Sequence, residues 1–165
     1  MITLRNILVA TDFSPQSEAA LAYGRDFART FAGTLHVIHV TENISARFSA
    51  DISLVDLPDI QADIDKAAAR QLAASMTAED RTQLHAREVV RRATAPATAI
   101  TEYAEEAGID LIVIGTHGRG LMSRFLLGSV AERVVRVAGC PVLVVRNPER
   151  DFLAPDALAT VSNTP

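Results

Sequence analysis

The chain has 165 residues, 48% hydrophobic and 22% charged, with a formal net charge of −4 and a pI near 5.5. These values are typical of one globular domain, exclude wholesale disorder, and provide no broad basic surface for nucleic acid. A single cysteine, the absence of a signal-peptide pattern and the absence of a membrane-length apolar run predict a cytoplasmic protein without a membrane partner.

Five apolar runs rich in β-branched residues alternate with helical patterns, and this alternation predicts a parallel sheet covered by helices. The predicted strands are Asn6–Ala10, Thr34–Val40, His85–Arg91, Leu111–Ile114 and Val142–Val145. The last two are continuously apolar, as expected for strands packed between helices.

The first predicted helix, Pro15–Phe31, has clear ends: Ser14 suits the N-cap, and Gly33 follows the last turn. A second helix is predicted at Asp59–Met76 from a four-residue spacing of apolar side chains that are expected to face the core. Those side chains are Ile60, Ile64, Ala68, Leu72 and Met76.

A third helix should open at Pro96 and end before Gly108, and a fourth should begin at the capping-box pattern Ser129 to Glu132 and stop at Gly139. The intervening segment Thr41–Pro58 is long and irregular, which is typical of a functional or a mobile loop.

The last residues, Asn147–Pro165, mix prolines, charges and small residues without periodicity. We therefore expect one domain over residues 1–146 and a flexible tail over residues 147–165.

The most informative segment runs from Gly115 to Val130, because it follows a buried strand and leads into a helix. Glycines at Gly115, Gly118 and Gly128 would let a bound oxyanion approach the backbone, and the helix start adds free N–H groups and partial positive charge. The Ser129 hydroxyl is a further donor. The pattern favours a phosphate cradle.

Two alternatives limit this interpretation. Glycines after strands often serve only to turn the chain, which from the residues alone is about as probable as a phosphate site. The segment also differs from known nucleotide motifs: Ser123 stands where the dinucleotide fingerprint has its third glycine, the first strand-to-helix turn has no glycine, and no Gly-Lys-Ser/Thr P-loop occurs.

Several separated motifs, in order, resemble the universal stress proteins, and in particular their ATP-binding branch. The resemblance covers Asn6–Arg146. Its motifs are Gly115-x₂-Gly118-x₉-Gly128-Ser129, Thr11-Asp12-Phe13-Ser14, the segment Ala104–Gly115 and the segment Cys140–Val145. Chance agreement of so many motifs is improbable.

The resemblance implies an α/β fold of the adenine nucleotide alpha hydrolase-like type: an open five-stranded parallel sheet of order 3-2-1-4-5 with helices on both faces. It also implies ATP, with ADP and AMP as alternatives and Mg²⁺ as the accompanying ion, over the carboxyl ends of strands one and four, where the strand order reverses.

Site residues follow from the resemblance position by position. Asp12 and Val40 are expected beside the adenosine, and Ala10 and Ile114 as apolar walls. The ribose and phosphates would be lined by Gly115, Gly118, Gly128, Ser129 and Val130.

Other residues keep two interpretations each. Arg119 and His117 lie inside the glycine segment, and could reach the outer phosphates or be exposed without a ligand. Asp12 could instead help to cap the first helix.

The remaining histidines and the cysteine are predicted to be structural. His36 and His39 fall on opposite faces of a strand, which argues against a shared metal site, and His85 is also placed on a strand. Cys140 is interpreted as a small buried hydrophobe.

Three functions are consistent with the sequence. The leading one is a nucleotide-dependent stress-response switch; the second is a slow ATP hydrolase or phosphoryl-transfer enzyme; the third is a chaperone-like dimer whose glycines only make turns. No general base with an orienting partner is evident, which disfavours fast catalysis.

The apolar edge strand Val142–Val145 predicts a homodimer, and the resemblance implies antiparallel pairing of this strand with its twin.

Overall fold

The computed structural model describes residues 1–46, 57–116 and 127–146. The strands are β1 Asn6–Ala10, β2 Thr34–Glu42, β3 Arg87–Ala93, β4 Leu111–Gly115 and β5 Val142–Val145. The helices are α1 Pro15–Phe31, α2 Leu57–Ser75, α3 Ala78–Thr82, α4 Pro96–Glu106 and α5 Ser129–Val137, and a short 3₁₀ turn spans Ile44–Ala46.

The strands form one parallel sheet of order β3-β2-β1-β4-β5, which confirms the predicted fold class. The central strand β1 pairs with both β2 and β4, so that Ala10 lies between Ile38 and Ile114 at the carboxyl ends. β1 and β4 are the neighbours at which the strand order reverses. In open sheets of this kind, loops that leave such neighbours in opposite directions open a crevice.

Alternation along the strands sends side chains to two apolar layers, one on each face of the sheet. One layer packs under α1 and α2 and includes Ile7, Val9 and Leu72. The other packs under α4 and α5 and includes Leu8, Ile112 and Val134. Burial on both faces explains why these strands are continuously apolar.

α1 shows how local sequence sets a helix boundary. The Ser14 side chain accepts a hydrogen bond from the Ser17 amide, and Pro15 occupies the first turn, as predicted. At the other end the left-handed residue is Ala32, with φ 51°. Gly33 has a different role: a Cβ there would lie 2.8 Å from the carbonyl oxygen of Leu4, so it permits close packing.

Four features differ from the expectations in detail. Ile60 and Ile64 of α2 remain 48% and 36% exposed, because the buried face of this helix begins with Leu57 and Gln61 and continues through Ala68 and Leu72. α3 was not anticipated, although Thr77 and Asp80 form a capping box at its start.

The third correction concerns β3, which begins at Arg87. His85 precedes it in a left-handed conformation with φ 48°, and is exposed. The predicted loop Thr41–Pro58 is also shorter, since Thr41 and Glu42 belong to β2 and Leu57 and Pro58 to α2.

His36 lies in the layer beneath α4, where it is 1% exposed. Its Nδ1 is 2.7 Å from the hydroxyl oxygen of Tyr103, and its Nε2 is buried without a hydrogen-bond partner. Burial, assisted by the charge of Arg87, lowers the pKa of His36 to about 4. This histidine is therefore a neutral core residue at ordinary pH, as expected of a structural role.

Among the described residues, no helix combines the length and the apolarity needed to cross a bilayer.

Candidate functional site

A cavity of about 310 Å³ opens where the carboxyl ends of β1, β2 and β4 meet the amino ends of α4 and α5. Its size and position are typical of a ligand site in an open parallel sheet. It is lined by Ala10, Thr11, Asp12, Ser17, Ile38, His39, Val40, Pro96, Ile100, Ile114, Gly115, Thr116, Gly128, Ser129, Val130 and Ala131.

Eight of the ten site residues predicted from the sequence line this one cavity. They come from four separate stretches of chain, and are Ala10, Asp12, Val40, Ile114, Gly115, Gly128, Ser129 and Val130. The other two, Gly118 and Arg119, lie outside the described residues, as does His117.

Asp12 is half-buried at the mouth of the turn between β1 and α1. Its Oδ1 accepts hydrogen bonds from the Ser14 amide at 3.1 Å and from the Ser14 hydroxyl at 2.6 Å. The carboxylate thus supports the residue that caps α1, as the structural alternative expected. It also faces the cavity, so the two interpretations are compatible at one residue.

Gly115 ends β4 and packs against the first turn of α1. A Cβ there would lie 3.0 Å from both the carbonyl carbon and the carbonyl oxygen of Gln16, a contact that neither backbone could easily relieve. Close packing against α1 therefore explains this glycine without a ligand.

The packing that explains Gly115 is not the explanation for Gly128. Its φ of −63° and ψ of 147° are accessible to any residue, so backbone conformation does not require glycine there. Its N–H donates to the Thr116 carbonyl at 2.7 Å, and the Thr116 N–H donates to the Val145 carbonyl at 2.8 Å. Backbone hydrogen bonds thus bring this glycine beside the end of β4.

The amino end of α5 faces the cavity through its first turn. Gly128 is the N-cap and makes no side-chain capping bond, so the predicted capping role of Ser129 was wrong: Ser129 is the first helical residue and is exposed. The first amides of a helix have no intrahelical acceptor and carry partial positive charge. Ser129, Val130 and Ala131 of this turn line the cavity, so the site is suited to an anionic group.

Several lining residues were not predicted. Pro96 and Ile100 belong to the start of α4, and His39 to the end of β2. These residues could have been anticipated from their positions in the sequence, because residues at the carboxyl ends of parallel strands lie at the same edge of the sheet. His39 had been assigned a structural role, which its 2.8 Å contact to the Thr11 carbonyl supports, but it also forms cavity wall.

The walls combine apolar and polar side chains. Ala10, Ile38, Val40 and Ile114 supply the apolar side, whereas Asp12 supplies an acid. Within residues 1–46, 57–116 and 127–146, no three His, Cys, Asp or Glu side chains are grouped as metal ligands.

Comparison with known proteins agrees with this geometry. The model of the universal stress protein family matches residues 3–146. Universal stress protein A homolog 1 of Coxiella burnetii is 31% identical over 144 residues, which cover 86% of this chain and 95% of that protein.

Solved structures show the same fold. Universal stress protein UspA from Lactobacillus plantarum superposes with a TM-score of 0.69 at 24% identity, covering 88% of this chain and 100% of that chain. A universal stress protein solved in complex with cAMP has a TM-score of 0.55 at 25% identity, covering 88% and 98%. Since the family model includes all five strands and every lining residue of the cavity, the chain belongs to the universal stress protein family.

Proposed function

We propose that this protein binds ATP in the cavity at the carboxyl ends of β1 and β4, and that nucleotide occupancy acts as a switch in a stress response. The observation that carries the proposal is the convergence of eight motif residues, distant in sequence, on one cavity of ligand size. A related protein that binds cAMP supports an adenine nucleotide as the ligand class.

The chemistry of the cavity walls favours one orientation of the bound nucleotide. The apolar surface of Val40 and the carboxylate of Asp12 suit the adenosine, because a base buries a flat apolar face and ribose hydroxyls donate to an acid. The phosphates would lie toward Gly128 and the first turn of α5, where amides and helix polarity favour negative charge. Gly118 and Arg119 of the same motif are assigned to the phosphates as well, and Mg²⁺ would accompany the triphosphate.

The decisive experiment replaces Gly118 and Gly128 together with valine. Both side chains would occupy the space through which phosphates approach the backbone, so ATP binding should be lost while the protein stays folded. Calorimetric titration of ATP with Mg²⁺ measures the affinity, and a thermal melt without ligand measures the fold. Wild-type affinity in the folded double variant would refute the site.

The nucleotide that copurifies with the protein separates switch from enzyme. Bound ATP, identified by mass spectrometry of the released ligand, supports the switch, whereas ADP together with measurable turnover supports a slow hydrolase. Release of no nucleotide, with no binding on titration, supports the third function, a chaperone-like dimer.

We further propose a homodimer through β5. The two edges of the sheet differ: β3 carries Arg87, Arg91 and Arg92, which resist pairing, whereas β5 presents Val142, Leu143 and Val144 only half-buried. Val144→Lys should weaken the dimer because a charge enters an apolar contact. Sedimentation that shows only monomer for the wild type at micromolar concentration would refute the pairing.

A further inference from the structure

The turn between β1 and α1 contains a strained residue. Phe13 has φ 64°, a left-handed conformation that bulky side chains rarely adopt. Among the described non-glycine residues only Ala32 and His85 share a positive φ, and Ala32 is a helix C-cap, where such a conformation is common. Strain of this kind persists only where surrounding contacts enforce it.

The contacts that enforce it come from Thr11 and His39. The Phe13 amide donates to the Thr11 hydroxyl oxygen at 3.0 Å, and the Phe13 ring lies 4.4 Å from the His39 ring at a 32° tilt. His39 Nδ1 lies 2.8 Å from the Thr11 carbonyl oxygen. Because a carbonyl oxygen only accepts, Nδ1 carries the proton. His39 thus holds the turn at two points, through its ring and through its N–H.

Asp12 lies between the two residues that His39 holds. Asp12, His39 and Val40 line the first cavity and also a second groove of about 440 Å³ between the end of β2 and α2. The position of the Asp12 carboxylate therefore depends on the conformation of this turn. A glycine at position 13 would adopt the same φ without strain, so the phenyl ring is expected to have a role of its own.

We propose that Phe13 and His39 are positioning residues for the nucleotide: their ring contact holds the turn in the one conformation that presents Asp12 to the adenosine. This inference rests on the proposed nucleotide site. Without the ring contact the turn samples other conformations, and the apparent affinity falls by the fraction that remains competent.

A purely structural role for Phe13 makes a different prediction. The ring also packs against the core layer under α1, as does Phe27, so its loss lowers stability in either case. Stability alone therefore does not discriminate. Nucleotide affinity of the folded variants does, because a core filler has no effect on it.

The test measures ATP affinity by calorimetry for the wild type, Phe13→Gly, His39→Ala, the double variant and Phe13→Tyr. Each loss of a ring should weaken binding about tenfold, and the double variant should be little weaker than either single variant, because the two residues act as one unit. Phe13→Tyr keeps the ring and should stay within about threefold of the wild type. Phe27→Ala is the matched control: it should lower the melting temperature and leave the affinity unchanged.

A spectroscopic measurement on the folded variants tests the conformation of the turn without relying on affinity. Nitrogen NMR of His39 should show a protonated Nδ1 in the wild type, and this signal should be averaged in Phe13→Gly. Should Phe13→Gly not fold, His39→Phe, which keeps a ring and removes the N–H, should weaken binding less than His39→Ala. Wild-type affinity in folded Phe13→Gly and His39→Ala would overturn this inference alone, whereas a wild type without nucleotide affinity would overturn the proposed function with it.

Discussion

The two parts of the chain that border the cavity are held in place in different ways. The turn after β1 has no glycine and is held by side chains: Asp12 and Thr11 accept hydrogen bonds, and His39 packs on Phe13. The chain after β4 is held by backbone hydrogen bonds that involve Thr116 and Gly128. Side chains can select a ligand by chemistry, whereas the first amides of α5 are available to any anion. We therefore propose that the turn after β1 recognises the nucleoside and that the first turn of α5 recognises the phosphates.

The largest effect on stability is expected at Gly115, where β4 packs against α1. Gly115→Val should destabilise the protein by about 3 kcal/mol or more, because the side chain meets the backbone of Gln16. Urea denaturation measures this loss. Gly139→Val is the matched control, since the nearest atom to a Cβ there is 4.0 Å away. Equal stability of the two variants would show that α1 can move aside at little cost.

Gly128→Val separates ATP binding from folding, because valine can adopt the φ and ψ of Gly128. We expect a loss of ATP affinity with a melting temperature close to that of the wild type.

The pH dependence of stability tests the cavity wall that α4 forms. Pro96 and Ile100 of α4 line the cavity, and α4 is held to β2 by the contact between Tyr103 and His36. Because the folded-state pKa of His36 is about 4, below the usual histidine value of 6.5, the unfolded chain binds the proton first as pH falls. The contribution of His36 is therefore complete above pH 6.5 and is lost as the pH falls toward 4, by up to about 3 kcal/mol.

The measurement is urea denaturation between about pH 7 and pH 4.5. His36→Leu should be much less pH-dependent in this window. Burial opposes ionisation of Asp80, but hydrogen bonds from Arg25 and Thr77 lower its pKa, so its contribution is lost mainly below the usual aspartate value of 3.8. A wild-type stability that is constant between pH 6.5 and 4 would contradict the assignment of a neutral buried His36.

A smaller effect is expected for Asp12→Ala. Loss of the two hydrogen bonds to Ser14 should destabilise the protein by about 1 kcal/mol, and ATP should bind about tenfold more weakly. Asp12→Asn retains an acceptor oxygen and should recover most of the stability. Unchanged affinity in Asp12→Ala would leave the residue with its capping role alone and would remove the side-chain half of the contrast.

The smallest effect is expected far from either turn. We expect truncation after Arg146 to leave the melting temperature and the ATP affinity nearly unchanged, because residues 147–165 lack the periodic apolar side chains needed for docking. A melting temperature lowered by many degrees would show that these residues pack on the domain.

Elements with strong local signals were predicted closely. α1 matches residue for residue, since a serine cap and a following proline define its start. β1 and β5 also match, because their apolar runs end sharply. Predictions were less accurate where burial depends on neighbours: Ile60 and Ile64 follow a regular spacing, yet their side of α2 faces outward.

Three features of this protein were determined by sequence alone: the alternation of strands and helices, the N-cap of α1, and the motifs that identify the family. All depend on residues near one another along the chain, so local periodicity and spacing are sufficient to detect them. Tertiary structure decided which glycine packs against α1, which residue caps α5, that His39 faces the cavity, and that Phe13 is held in a strained conformation. These depend on distances between segments that are remote in sequence, and such distances exist only after the sheet has assembled.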